Sequence, residues 1–344
     1  MPRIRIAAPA KLNLHLRVGD RRSDGFHEIE SLFLALGFGD TILIEALSGA
    51  SGATPAEAGP AETGPAEAGL TSLHMDWQLP GEAEMAPRLS PEENIVSAAV
   101  SLFRNRSGYD ARLRVSVEKR IPIGGGLGGG SSDAAATLLA LNRLAAPGGL
   151  LGLETLAEMG AALGSDVPFF VRAAGAGTPA AWVSGRGERV QPVELPEGVR
   201  GLSLLLLNPG FRSDTAGAYR SLDEHRGAAL PASRRGGVSP GAAAAALAGA
   251  PRDWPFSNDF LSVFEAGAGG DSASSGAALA YREMIRGLKE FGADFAGLSG
   301  SGSTCFGVFS QGEKAKTAIG PLSKRWPFVF ETFACVLDSS VLKY

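Results

Sequence analysis

The chain has 344 residues, 44% of them hydrophobic and 20% charged, with a formal net charge of −4. This is a globular composition, long enough for two domains of ordinary size. It carries no broad electrostatic attraction for nucleic acid or acidic membranes, no apolar run reaches the ~18 residues of a transmembrane helix, and a usage of two cysteines, Cys305 and Cys335, suits a reducing compartment.

The first segment alternates at once and lacks the apolar stretch of a secretion signal, which reads as a cytoplasmic protein. Ile4, Ile6 and Ala8 share one strand face until Pro9 interrupts. From Lys11 to Leu16 the alternation resumes, with Leu12, Leu14 and Leu16 predicted on a buried face and Lys11, Asn13 and His15 on the other. A lysine, an amide and an imidazole in line make either a polar site or a solvated strand face. Ser23-Asp24-Gly25 signals a turn, with Phe26 and His27 directly after it, and strands are predicted over 32–36 and 41–45, joined at Gly39-Asp40. Residues 46–69 are of low complexity, built on five-residue repeats that begin at Pro55, Pro60 and Pro65 and carry no large apolar side chain; they are expected to form a mobile surface insertion. A strand follows from Leu73 to Leu79. Ser90-Pro91-Glu92-Glu93 then reads as the capped start of a helix that runs to about Arg106 and stops at Gly108.

The stretch from Pro122 to Asp133 is the densest signal. Six of the seven residues from Gly124 to Gly130 are glycine, the residue that loses most backbone freedom on folding, so bare backbone must be needed there. A patterned strand, Ala111 to Glu118, precedes the run, and a good helix sequence follows it with Ser131 or Ser132 as the expected N-cap. Strand, glycine loop and helix N-terminus together make an anion site, and a triphosphate is the obvious guest. The loop matches the dinucleotide pattern as text, but no carboxylate lies between Asn142 and Leu151 to take a ribose. The Walker pattern fails because no lysine precedes Ser131. A flexible linker is the remaining alternative, and it does not explain the flanking strand and capped helix.

Beyond the loop, Leu153 to Leu163 reads as an amphipathic helix ending at Gly164. Ser165-Asp166-Val167-Pro168 then reads as a helix-to-strand junction leading into Phe169-Phe170-Val171. A carboxylate in such a turn serves local capping or chemistry, and spacing leaves both open. Gly185 to Glu188 is a hairpin-like turn. Gly201 to Leu207 is an apolar run, a buried strand that feeds Asn208-Pro209-Gly210, and the domain change is placed near here. Residues 225–250 read as a variable linker or frayed helix, and 265–276 as a further insertion. Helices are expected from Phe256 to Asp259 onward, over 277–291 and over 312–324, and strands over 305–309 and 328–337. A small-residue loop, Ser299 to Thr304, lies between. The pattern by itself supports two α+β domains, 1–197 and 198–344.

Several segments then fall into one order: Ala8-Pro-Ala-Lys-Leu-Asn-Leu14, Asp24-Gly-Phe-His27, Gly124 to Ser132, Gly164-Ser-Asp-Val-Pro168, Phe256-Ser-Asn-Asp259 and Ser299-Gly-Ser-Gly302. The set resembles the 4-diphosphocytidyl-2-C-methyl-D-erythritol kinase family of the GHMP superfamily over nearly the whole chain except the three insertions. The glycine loop carries only the superfamily; the opening motif with Asp-Gly-Phe-His is far more specific. The resemblance implies an α+β two-domain GHMP kinase architecture, with a ribosomal-protein-S5-like N-terminal domain and a ferredoxin-like C-terminal domain. It also implies transfer of the γ-phosphoryl of ATP, with Mg²⁺, to the 2-hydroxyl of a cytidine diphosphate methylerythritol in isoprenoid precursor synthesis.

In that family Lys11 and Asp166 match the catalytic pair. The nucleotide loop would comprise Pro122, Ile123, Gly124, Gly125, Gly126, Leu127, Gly128, Gly129, Gly130, Ser131 and Ser132. The acceptor would be held by Asn13, Phe26, His27, Thr215 and Tyr219, with Phe211 the alternative to Tyr219. Ser131, Ser132 and Asp133 are the residues that could approach the metal, and the ligands stay open. Asn258 and Asp259 match a structural motif, and His15 takes no role. The expected partner is a small-molecule substrate, without nucleic acid or membrane, on a monomer or homodimer. Two rivals remain: another GHMP kinase of the homoserine or mevalonate type, and an ATP-binding sensor without turnover.

Overall fold

Alternation at the N-terminus builds two long strands. In the computed structural model, which describes residues 2–47, 70–79, 94–146, 149–227, 238–265 and 272–335, β1 (Arg3–Arg21) pairs antiparallel with β2 (His27–Ala46) along most of its length. Neither Pro9 nor Gly39-Asp40 breaks a strand, contrary to the sequence reading. Pro9 opens a register shift, and Gly39 packs so tightly on β1 that an added Cβ would lie 2.4 Å from the Ala8 carbonyl oxygen. Asp40 does not build a turn because its carboxylate is spent inside the sheet, accepting from the backbone N–H of Ile121 at 2.8 Å.

The free edge of β2 takes β4 (Leu113–Lys119) on its C-terminal half and β5 (Ala180–Gly185) on its N-terminal half. β3 (Leu70–Trp77) runs parallel to β4, and β6 (Arg189–Val193) closes a hairpin on β5 through the turn at Gly185 to Glu188. Helices α1 (Ile95–Ser107), α2 (Gly129–Ala145), α3 (Leu153–Leu163) and α4 (Val167–Ala176) cover one face of this six-stranded sheet. Asn94 caps α1, and Gly108 ends it in a left-handed conformation as expected. The predicted cap at Ser90 to Glu93 and the repeats after Ala46 lie outside the described residues.

The second unit holds α5 (Glu197–Arg200), β7 (Ser203–Asn208), α6 (Thr215–Gly227), α7 (Pro240–Leu247), α8 (Asp259–Glu265), α9 (Ser272–Glu290), β8 (Phe295–Leu298), β9 (Cys305–Phe309), α10 (Gly312–Ser323) and β10 (Phe328–Thr332). Its antiparallel sheet runs β10-β7-β9-β8, the ferredoxin-like order. The unbroken leucines of β7 follow from burial on both faces. Leu205 and Leu207 face the helices, while Leu204 and Leu206 join Leu12, Leu14, Leu34 and Trp182 in a core between the two sheets.

Four readings are corrected. Leu16 does not share the core of Leu12 and Leu14, because a register shift between Asn13 and His15 turns it toward the other cluster. Phe169 to Val171 belong to a helix, since Pro168 fits a first helical turn and the run is buried within the helical layer. The stretch over 225–250 contains an ordered helix, α7, capped by Ser239 and anchored by Ala243 and Leu247. Residues 272–276, read as insertion, open α9. The rest of those insertions, 228–237 and 266–271, and the predicted strand end at 336–337, lie outside the described residues.

Candidate active site

A cleft of about 870 Å³ lies between the two units, lined by Lys11 and Asn13 from β1, Gly126, Gly128 and Ser131 from the glycine loop, Asp166, and Thr215 and Tyr219 from α6. Lys11 and Asp166 stand 155 positions apart in sequence (166 − 11) and meet here: Lys11 Nζ lies 3.5 Å from Asp166 Oδ2. The ammonium also donates to Asn13 Oδ1 at 2.6 Å and to the Gly126 carbonyl at 3.0 Å, and it stands 4.8 Å from the centre of the Phe33 ring. It is therefore oriented from every side but the cleft. Asp166 occupies the N-cap position of α4 yet makes no capping bond with its side chain. Its carboxylate is left facing the cleft.

The glycine loop closes with the second unit rather than standing alone. Gly124, Gly126 and Gly128 have φ of 65°, 75° and 71°, and a Cβ on Gly126 would lie 2.1 Å from the Ser299 carbonyl oxygen. Thr304 N–H donates to Gly125 O at 3.0 Å, Ser213 N–H to Gly124 O at 3.1 Å, and Ser299 Oγ to Gly126 O at 2.9 Å. α2 begins three or four residues earlier than expected, with left-handed Gly128 as its cap. Neither Ser131 nor Ser132 is the N-cap, because glycine reaches that conformation without a Cβ penalty. Ser131 lines the cleft. Ser132 lies on the other side of α2, against a second, mainly apolar cavity of about 680 Å³, and its Oγ has no hydrogen-bond partner among the described residues.

Beneath the loop lies a charge cluster that the sequence reading missed. Lys119 Nζ joins Asp40 Oδ2 and Asp133 Oδ2, the latter at 2.6 Å, and all three side chains are buried. One cation balances one carboxylate. Burial and the Asp40 charge outweigh Lys119 at Asp133, whose carboxyl is pushed up to about 7. Asp40 accepts from the N–H of Arg120 and Ile121 at the loop's start, while Lys119 holds Asp133 just past its end. The loop is thus clamped at its start by Asp40 and just past its end by Lys119.

At the far end of the cleft, His27 Nε2 lies 2.9 Å from Asp223 Oδ1, and the His27 ring stacks on Tyr219 at 4.9 Å and 24°. Tyr219 packs edge-on to Phe260, and its hydroxyl is pushed up to about 12 by burial, then by the charge of Asp166. Phe26 is half exposed, with the Arg186 guanidinium 5.0 Å from its ring centre. Phe211 does not line this cleft and packs instead against Tyr281. Thr215 Oγ1 pairs with Ser301 Oγ at 3.0 Å. Asn13 is largely spent on the scaffold, donating to Ser31 Oγ at 2.9 Å while its oxygen takes Lys11. Asp223 and Arg186 were not singled out from sequence. Asp223 had a signal, since Thr215, Tyr219 and Asp223 fall four apart on one helix face.

Asn258 holds the small-residue loop within the second unit, donating to Leu298 O at 2.7 Å and Gly300 O at 2.8 Å, while Asp259 Oδ2 ties the units together by accepting from Val18 N–H at 3.0 Å. His15 is buried beside Trp182, its Nδ1 accepts from Ser257 N–H at 3.2 Å, and burial lowers its pKa. Among the described residues no helix is long and apolar enough to cross a membrane, and no cluster of three metal-ligating side chains occurs.

A glycine loop at a helix N-terminus, facing a lysine–aspartate pair across a two-unit cleft, is an architecture of the GHMP kinase class. The GHMP kinases N terminal domain pattern matches residues 94–174, which include the loop and Asp166, and the GHMP kinases C terminal pattern matches 279–327. A crystal structure of 4-(cytidine 5'-diphospho)-2C-methyl-D-erythritol kinase superposes with a TM-score of 0.68 at 27% identity, covering 96% of this chain and all of that one. An L. major mevalonate kinase, at 14% identity with a TM-score of 0.62, shares the fold over 97% of this chain and 96% of its own. The 4-diphosphocytidyl-2-C-methyl-D-erythritol kinase of Xanthomonas euvesicatoria is 37% identical over 65% of this chain and 63% of its own length. The protein of that name from Treponema pallidum is 33% identical over 97% of this chain and its own full length, so the chain belongs to the 4-diphosphocytidyl-2-C-methyl-D-erythritol kinase family.

Proposed function

We propose that the chain transfers the γ-phosphoryl group of ATP to the 2-hydroxyl of 4-diphosphocytidyl-2-C-methyl-D-erythritol. The observation that carries the mechanism is the Lys11–Asp166 pair, 3.5 Å apart, in the cleft that Gly126, Gly128 and Ser131 also line. Phosphoryl transfer asks for positioning and charge stabilisation more than for covalent chemistry. Asp166 accepts the hydroxyl proton as the acceptor oxygen attacks the γ-phosphorus, and ADP leaves with the electrons of the broken β–γ bridge. Lys11, held by Asn13 and Gly126, orients Asp166 and stabilises charge on the transferring group. The N-terminus of α2 faces the phosphates with its positive end.

The donors fit a magnesium ion that arrives with ATP. Mg²⁺ takes most of its ligands from phosphate and water and asks for only one or two from protein. Of Ser131, Ser132 and Asp133, Ser131 is the one open to the cleft, whereas Asp133 is buried and engaged with Lys119. When bound, the ion supplies counter-charge to the β- and γ-phosphates.

Phe26 supplies a flat apolar face at the other end for the pyrimidine, with His27 at its edge, and the 870 Å³ cleft has room for both ends of a nucleotide-linked acceptor. The test is ADP formation by the full chain with ATP, Mg²⁺ and the cytidine acceptor, set against homoserine and mevalonate. Turnover of the cytidine acceptor alone is expected. Preference for either simple alcohol, or ATP binding without turnover of any acceptor, overturns the reading.

A further inference from the structure

His27 sits in a defined hydrogen-bonding pattern that nothing in its own residue type fixes. Its Nε2 lies 2.9 Å from Asp223 Oδ1. An ionised carboxylate only accepts, so Nε2 carries the proton, and in the neutral ring Nδ1 is then an acceptor. The bond to Asp223 is the ring's only side-chain hydrogen bond among the described residues. Nδ1 is not among the buried polar atoms left without a partner, and His27 lines the cleft, so this lone pair is open to a ligand. Tyr219 lies flat against the ring at 4.9 Å and is itself backed by Phe260 at 4.9 Å, which fixes the ring's plane. Asp223 fixes the tautomer, and Tyr219 fixes the orientation.

We propose that Asp223 is a positioning residue that sets the choice of base: by holding the Nε2–H tautomer it makes His27 Nδ1 an acceptor for the exocyclic amine of cytosine. This rests on the cytidine acceptor proposed above. Uracil carries a carbonyl oxygen where cytosine carries that amine. Its lone pair would face the lone pair of Nδ1 in a partly dehydrated site, and neither could be satisfied. Selection of cytosine over uracil thus runs through a carboxylate that touches neither base. Asp223 lies one helical turn beyond Tyr219 on α6, so the two residues that control the ring share one rigid element.

The test compares wild type with Asp223→Asn and Asp223→Ala. Asparagine can turn its amide N–H toward Nε2, which reverses the tautomer and presents Nδ1–H to the cleft. Binding of CDP and UDP is measured by calorimetry without turnover, and kcat and KM are measured with the cytidine and uridine forms of the acceptor. Wild type is expected to prefer CDP by about tenfold or more, the typical weight of one unpaired polar group. Asp223→Asn should lose that preference or invert it, Asp223→Ala should fall between, and the change should lie in KM more than in kcat. Nitrogen-15 NMR of the His27 ring should report Nε2–H in wild type and Nδ1–H in Asp223→Asn. The Asp223 side chain is 41% exposed, so both variants are expected to fold. An unchanged CDP-to-UDP ratio across the three proteins, no preference in wild type, or a wild-type ring protonated at Nδ1 overturns the inference. Wild type that selects CDP but phosphorylates no cytidine acceptor overturns the kinase reading instead.

Discussion

Gly126 and Ser299 approach so closely that a Cβ on the glycine would stand 2.1 Å from the serine carbonyl oxygen, and Ser299 Oγ bonds back to the Gly126 carbonyl at 2.9 Å. The glycine loop is thus a joint between the two units as well as a cradle for phosphate. Gly126 also has φ of 75°, which an alanine adopts only under strain. Gly126→Ala is therefore expected to cost about 1–3 kcal/mol of stability and to weaken kcat/KM for ATP and for the acceptor together. Thermal unfolding and two-substrate kinetics check it. A loss confined to ATP would show that the joint does not matter.

Asp166 and Lys11 make one unit. Asp166→Asn keeps the shape of the N-cap and removes the proton acceptor, so kcat should fall by about 10²–10⁴ while ATP binding stays near wild type. Lys11→Met should lower kcat too. The double variant should lose much less than the product of the two single losses, because each single change already disables the pair. Single-turnover kinetics with ATP titration measures all three. Wild-type kcat in Asp166→Asn rejects the assignment.

Much of this cleft was legible because its parts are local motifs: a glycine run between strand and helix, a strand that alternates lysine and amide, an aspartate between two helix punctuators. The ferredoxin-like order and the meeting of Lys11 with Asp166 came through resemblance, since no local period encodes which strands pair. The misreadings have physical causes. Gly39-Asp40 is a turn signal by composition, but close packing on β1 and the demand of the Arg120 and Ile121 N–H groups for an acceptor override it. Phe169 to Val171 is too short an apolar run to assign by period. Asp40, Lys119 and Asp133 come from three separate elements, and only the folded chain brings them together.

That cluster predicts a pH signature. Two carboxylates share one lysine, so the second, Asp133, keeps its proton up to about pH 7 in the folded chain, above the ordinary carboxylate value of about 3.9 in the unfolded one. A folded state that binds the proton more tightly loses stability as pH rises. The contribution is complete below about pH 4 and is lost through about pH 7. Asp133→Asn holds the neutral form permanently, so the fall in Tm between pH 6 and pH 8 should shrink in the variant. Calorimetry at the two pH values decides, and equal slopes in both proteins remove Asp133 as the source. Lys119→Met should instead cost about 3–5 kcal/mol at pH 8, because it strands buried carboxylates without their cation.

Phe26 tests the acceptor end alone. Its ring is 50% exposed and lines the cleft, with Arg186 over one face and no part in either core cluster. An exposed aromatic in that place adds little to folding and is available to stack on a base. Stacking on one aromatic contributes about 1–3 kcal/mol per base. Phe26→Ala should accordingly raise KM for the cytidine acceptor by about 5- to 150-fold. KM for ATP and Tm should stay close to wild type, since the glycine loop and the Lys11–Asp166 pair make no contact that runs through this ring. Phe26→Tyr should restore the acceptor KM, because the stacking face is kept and the added hydroxyl is free to meet water. An acceptor KM unchanged in Phe26→Ala would move the base to another part of the cleft, and a lowered Tm would make Phe26 a packing residue.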